Sequence, residues 1–111
     1  MINIMQINMD GGRNAQDPLM ATASERGADV LIVSEAYRCG TEEEGWFPDT
    51  SSRAAVFIAN PTIQVREIGR RDTDGFRWVA LDEITIYSCY WSPNTDYTLF
   101  VDFLDRLEGS V

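Results

Sequence analysis

Apolar and polar residues alternate from the first positions of the chain. Ile2, Ile4 and Gln6 fall on one side of a two-residue period and Met5 and Ile7 on the other, which predicts a strand over residues 2–8 with apolar side chains on both faces. Asp10, Gly11 and Gly12 break it. Asp17 followed by Pro18 has the form of a helix N-cap with proline at the first helical position; Asn14 offers a start one turn earlier, and Gly27 stops the helix after Glu25 and Arg26. Leu19, Met20 and Ala23 form its expected apolar stripe. Val30, Leu31, Ile32 and Val33 run without a polar interruption, the pattern of a strand covered on both sides, so the chain opens β-α-β. A polar loop over 38–52 follows, holding Glu42, Glu43 and Glu44 and the apolar pair Trp46 and Phe47. Strands are then predicted over 54–59, 63–68, 76–81 and 84–91, separated by Asn60-Pro61, by 72–75 and by Asp82-Glu83. Both sides of 84–91 are largely apolar, which predicts a central place in the sheet. Asp96 caps a last helix, with Tyr97, Phe100, Val101, Leu104 and Leu107 at helical spacing and Asp102, Asp105, Arg106 and Glu108 opposite.

The order β-α-β-β-β-β-β-α predicts an α/β (α+β) fold: one mixed sheet, its first two strands parallel and the later ones an antiparallel meander, with the helices on one face. Two strands that look buried on both sides then lack cover on one, so the sheet wants a second layer. The 111 residues make one domain, and 44% hydrophobic with 24% charged residues is ordinary globular composition. Nine basic against eighteen acidic residues leave a net charge of −9. That excludes gripping nucleic acid by phosphate neutralisation alone and docking on an anionic membrane, and leaves open an approach to phosphates through a bound cation. The absence of histidine removes serine-histidine and cysteine-histidine triads, imidazole metal sites and a histidine base. Cys39 and Cys89 are too few for a zinc site and read as packed or incidental thiols. No apolar run approaches the roughly 20 residues that span a bilayer. The alternating N-terminus does not have the form of a signal peptide. The expected compartment is intracellular, nuclear or cytoplasmic, without secretion or a membrane partner.

Glu35 follows the buried run at the carboxyl end of its strand, the edge where open α/β sheets bind ligands. A carboxylate there suits a hard divalent cation; it is equally the first solvated residue after a strand. Asn8 holds the matching place on the neighbouring parallel strand, where its amide can coordinate a cation, orient a carboxylate or simply make a turn. Tyr90 and Asn94 flank the end of a third strand in the run Tyr90-Trp91-Ser92-Pro93-Asn94, whose plainer reading is a turn into the last helix. The Glu42–Glu44 triplet reads as a solvated loop face or an aid to cation attraction, Arg66, Arg70 and Arg71 as surface charge or phosphate contacts, and Trp46, Phe47, Trp78 and Trp91 as core.

Several segments in order carry a resemblance: Ile4-Met5-Gln6-Ile7-Asn8, Asn14-Ala15-Gln16-Asp17, the run Ala28-Asp29-Val30-Leu31-Ile32-Val33-Ser34-Glu35-Ala36-Tyr37, Arg53-Ala54-Ala55-Val56, and Ile86-Tyr87-Ser88-Cys89-Tyr90-Trp91-Ser92-Pro93-Asn94. Together they resemble the endonuclease/exonuclease/phosphatase superfamily, most of all the endonuclease domain of non-LTR retrotransposons. The resemblance implies a metal-dependent hydrolase that nicks target DNA and leaves a 3′-hydroxyl to prime an associated reverse transcriptase. It implies Glu35 and Asn8 at a Mg2+ (or Mn2+) site, with Tyr90 on the scissile phosphate and Asn94 nearby. Glu35, Asn8 and Tyr90 would be the catalytic set, and DNA the partner. Ala36 stands where the family has proline. The family's later G-D-x-N and S-D-H segments have no counterpart in residues 1–111. The expectation is therefore the N-terminal half of a four-layered α/β sandwich, inactive without its C-terminal half. Two alternatives stay beside it: a non-catalytic relic or interaction module derived from that domain, and a phosphatase of the same superfamily.

Overall fold

Val30, Leu31 and Val33 are all fully buried although they alternate in direction, so their strand must be covered on both faces. The computed structural model, which describes residues 2–72, 74–92 and 97–111, shows how. Strand β1 (Ile4–Asn8) leads through helix α1 (Gln16–Glu25) to the parallel strand β2 (Val30–Ser34). After a single 3₁₀ turn at Glu42–Glu44 come β3 (Trp46–Pro48) and β4 (Ala54–Ile58). These four strands form a mixed sheet in the order β1-β2-β4-β3, antiparallel except for the first pair. The chain then leaves it. The short strand β5 (Glu67–Ile68) and the strands β6 (Phe76–Ala80) and β7 (Thr85–Cys89) make a second, antiparallel sheet in the order β5-β6-β7, followed by α2 (Tyr97–Ser110).

The α+β class with a parallel opening and antiparallel later strands matches the sequence reading; the single sheet does not. The second layer that β2 requires comes from this chain. β6 and β7 lie across β2, β4 and β3, and the space between the sheets holds Val30, Phe47, Val56, Ile58, Val79, Leu81 and Ile86. The alternate residues Leu31, Val33, Trp46 and Ala55 face outwards and pack with Ala23 and Met20 of α1. On the far side, α2 covers the outer face of the second sheet: Phe103 packs on Phe76 and stacks on Trp91, with centroids 6.2 and 4.6 Å away. The helices thus occupy opposite faces, not one, and four layers succeed one another as helix, sheet, sheet, helix. A hydrogen bond from Ser88 Oγ to the carbonyl of Val33 (3.2 Å) crosses between the sheets.

Local departures have local causes. α1 begins at Gln16, without a side-chain cap, so Asp17 and Pro18 sit inside its first turn. The buried Gln16 amide instead accepts from the Tyr37 and Arg38 backbone N–H groups and donates to the Arg38 carbonyl, tying the helix to the segment after β2. Leu19 is largely exposed. β3 was hidden in the polar loop because it is three residues long, and the predicted strand 63–68 keeps ladder pairing only at Glu67 and Ile68. β7 is an edge strand, not a central one. Among the described side chains of α2, Phe103 is buried and Leu104 exposed; Asp96 lies outside the described residues. The acidic triplet is not simply solvated: Thr41 and Glu44 form a capping box, and Glu42 pairs with the buried guanidinium of Arg77.

One face of β1 is left uncovered by the described residues. Ile4, Gln6 and Asn8 point to the side of the second sheet, which does not extend over them, and Ile4 is 41% exposed. Val56→Ala, between the sheets, should therefore cost about 2 kcal/mol, and Ile4→Ala less than about 1 kcal/mol. Urea unfolding measures both; equal losses would mean that β1 is covered.

Candidate functional site

The carboxyl ends of β1 and β2 are in register, Asn8 opposite Ser34, and the backbone turns away sharply after each. Asn8 Oδ1 accepts the N–H of Asp10 at 2.8 Å, while Asp10 and Gly11 adopt positive φ of 53° and 65°. The N–H of Gly11 returns to the carbonyl of Glu35 at 2.8 Å, so the two strand ends are stitched together. Glu35 itself sits at φ 52°, a left-handed conformation that costs a long side chain of order 1 kcal/mol and is held only where surroundings enforce it. Here they do. Its N–H donates to the carbonyl of Arg53 at 2.6 Å, and its Oε1 accepts the hydroxyl of Tyr90 at 2.8 Å.

Tyr90 lies just beyond β7, in the other sheet. Its N–H donates to the carbonyl of Gly75 at 2.7 Å. Gly75 has φ 99°, and a Cβ there would run into the Phe103 ring, so no other residue fits. The contact with Glu35 shapes the phenol's chemistry. Its hydrogen bond to Glu35, then burial, then the negative charge of that carboxylate raise its pKa above the ordinary 10.0, against an opposing pull from Arg53. Tyr90 is thereby kept as a proton-bearing donor.

Both halves of this pair hang on one buried group. The Asp49 carboxylate, at 0% exposure in the turn between β3 and β4, accepts from Arg53 N (3.2 Å) and Gly75 N (2.6 Å), as well as from the Ser51 hydroxyl. The carbonyls of Arg53 and Gly75 are the acceptors for Glu35 and Tyr90. A closed chain of hydrogen bonds results: Asp49 to Arg53 to Glu35, Asp49 to Gly75 to Tyr90, and Tyr90 back to Glu35. Arg71 clamps the turn from outside, through the Asp49 carbonyl and the Ser52 hydroxyl, each at 2.9 Å.

Glu35 and Asn8 end adjacent strands, and Tyr90 touches Glu35; Asn94 lies outside the described residues. Glu35 and Asn8 offer one carboxylate and one amide oxygen, a hard donor set. It suits a cation that keeps most of its waters, as Mg2+ does, and not a dedicated protein cage. Among the described residues no group of three or more acidic, cysteine or histidine side chains gathers for a metal. Reading the sequence alone missed Asp49, Arg53 and Gly75. Asp49 looks like an ordinary turn residue in Asp49-Thr50-Ser51-Ser52, and nothing in its spacing announces that it will be sealed under Gly75. Cys39 is packed as expected, and burial pushes its thiol up to about 11.

Among solved structures, the endonuclease domain of TRAS1, a telomere-specific non-LTR retrotransposon, is similar with a TM-score of 0.73 at 18% sequence identity, over 99% of this chain and 55% of that one. That likeness shows the fold: an α+β, nuclease-like arrangement, of which this chain spans about half the neighbour's length. No protein-family model matches the chain, and no curated protein matches it in sequence.

Two outcomes test the hydrogen-bond chain. Ultraviolet titration of wild type against Tyr90→Phe should place Tyr90 above 10, and Glu35→Gln should bring it back towards 10. Because the folded-state pKa is raised, its stabilising contribution is complete below pH 10 and is lost as pH rises through the folded value. Asp49→Ala removes the carboxylate acceptor of the buried N–H groups of Ala54 and Gly75 and should cost about 3 kcal/mol by denaturant unfolding, with the Tyr90 shift lost in what remains folded.

Proposed function

We propose that this chain forms the N-terminal part of a divalent-metal-dependent DNA endonuclease domain of the retrotransposon type, hydrolysing a phosphodiester to nick its target. The observation that carries the reading is the contact between Glu35 and Tyr90, made across two sheets at a strand-end edge in a nuclease-like fold. Glu35 holds a Mg2+ or Mn2+ ion through its carboxylate, with the Asn8 amide oxygen beside it. When bound, such an ion withdraws electron density from the phosphoryl group and stabilises the leaving oxygen. Glu35 also positions Tyr90 in the free site through the phenol's one proton; with substrate present that proton turns from Glu35 to a non-bridging phosphate oxygen as charge builds there. Asn94 completes the phosphate contacts. In the overall reaction water supplies hydroxide to phosphorus, the bond to the 3′ oxygen breaks, and a proton returns to that oxygen. The groups that activate the water belong to the G-D-x-N and S-D-H segments of the family, outside these 111 residues. The cation also explains how a chain of net charge −9 approaches DNA.

On this reading residues 1–111 alone show no nicking of supercoiled plasmid with Mg2+; in a domain joined to its C-terminal half, Glu35→Ala lowers nicking by about a hundredfold or more. The metal site is tested in the chain itself. Mn2+ should broaden amide resonances around Asn8, Glu35 and Tyr90, and Glu35→Gln should abolish that broadening. Broadening centred on Glu42–Glu44 instead, unaffected by Glu35→Gln, would leave the non-catalytic module as the better reading. Turnover of inositol phosphates but not DNA by the completed domain would favour the phosphatase.

A further inference from the structure

The turn over residues 49–53 does more than anchor Glu35. It carries an exposed guanidinium, Arg53, that makes no hydrogen bond or ion pair with another described residue. Every cationic side chain of this protein is an arginine, and others near or beneath this turn are committed elsewhere: Arg71 clamps it, and Arg77 is buried against the carbonyls of Pro48 and Gly69. Among the described residues the Arg53 guanidinium has no hydrogen-bond or ion-pair partner, yet its backbone is held on both sides. Its N–H is fixed on Asp49, its carbonyl takes the N–H of Glu35, and the residue before it, Ser52, is held at φ 64°. Left-handed, non-glycine backbone of this kind gathers where a side chain must be aimed. A cavity of about 190 Å³ opens beside it, lined by Arg53, Ser51, Asp74, Tyr90, Trp91 and Ser92.

We propose that this cavity is a subsite for one phosphodiester of a nucleic-acid backbone, held by the Arg53 guanidinium and adjacent to the phosphate that meets Tyr90. The assignment rests on the nuclease reading above and names a contact that it does not contain. A guanidinium presents paired donors that match two phosphate oxygens, and the fixed backbone of Arg53 sets the point from which its side chain reaches the cavity. The cavity has room for the phosphate together with its sugar, which Trp91 can flank. Its wall also includes Asp74, whose carboxylate accepts the Thr50 hydroxyl. An acid there tolerates the single charge of a diester paired with Arg53 and disfavours the double charge of a phosphate monoester.

The test is binding of a short DNA duplex to the chain, read by fluorescence anisotropy across a range of salt concentrations. Arg53→Gln should weaken binding about tenfold and reduce the slope of log affinity against log salt by about one, the signature of one lost phosphate contact. Arg53→Lys should keep the slope while losing part of the affinity. Arg66→Gln, at the opposite end of β6 and paired with Asp82, should leave both unchanged. If wild type binds but Arg53→Gln keeps its slope, the subsite is wrong and the nuclease reading stands. If wild type does not bind the duplex, the subsite is wrong, and the nuclease reading is judged separately by nicking in the completed domain. Should Arg53→Gln unfold, wild-type amide shifts decide: movement of Arg53 and Gly75 on adding duplex supports the subsite, and their silence overturns it.

Discussion

A carboxylate sealed from water is tolerable only where hydrogen bonds replace its lost hydration. At Asp49 those bonds come from backbone and hydroxyl donors in two separate loops, and this is why the candidate site has a shape at all. The turn after β3 belongs to the first sheet and the Gly75 loop leads into the second. One side chain holds both, and each passes the constraint on through its own carbonyl, to Glu35 on one side and Tyr90 on the other. Two groups far apart in sequence, on strands from different sheets, thus meet without either sheet having to distort. The strain at Glu35 and the glycine at position 75 are the local signs of that convergence.

The parts of the fold that were legible in the sequence are those set by local chemistry. Alternation gave β1, an unbroken apolar run gave β2, and Gly27, at φ 79°, ends α1 where expected. The parallel opening and the strand-end positions of Asn8 and Glu35 followed from these. What could not be read was where the chain changes sheets. A strand facing a second sheet and one facing a helix have the same composition, so β4 and β6 look alike although they lie in different layers. The reading sensed the need for cover over β2 and placed it outside the chain; the cover is β6 and β7. Asp49 shows the other limit. A buried and an exposed aspartate in a turn are spelled alike, and only the Gly75 loop, whose N–H closes on the Asp49 carboxylate, separates them.

The same geometry bears on how an acidic protein deals with phosphate. Its positive charge is spread over arginines of which two are committed to the protein itself, the buried Arg77 to loop carbonyls and Glu42, and the exposed Arg71 to the Asp49 turn. They act as braces. What faces solvent near Tyr90 is small in charge, a different arrangement from a broad basic patch: on the proposed reading, attraction is weak at distance and discrimination rests on the few ångströms around Glu35, Tyr90 and Arg53.

Among the described residues each sheet is covered by its own helix, whereas the flank formed by β1 and β7 is open. β1 and β7 are edge strands on the same flank, and the inner face of β1, with Ile4 and Gln6, stands uncovered beside them. Growth of such a body is lateral. A further strand, from whatever source, can hydrogen-bond to either edge and roof over β1 without moving a residue already packed, so the existing layers can be completed during synthesis before anything is added to them. While those edges stay bare they are also templates for unintended pairing, and β7 carries little to deter it: Thr85, Tyr87 and Cys89 line one side of that strand without a charge among them.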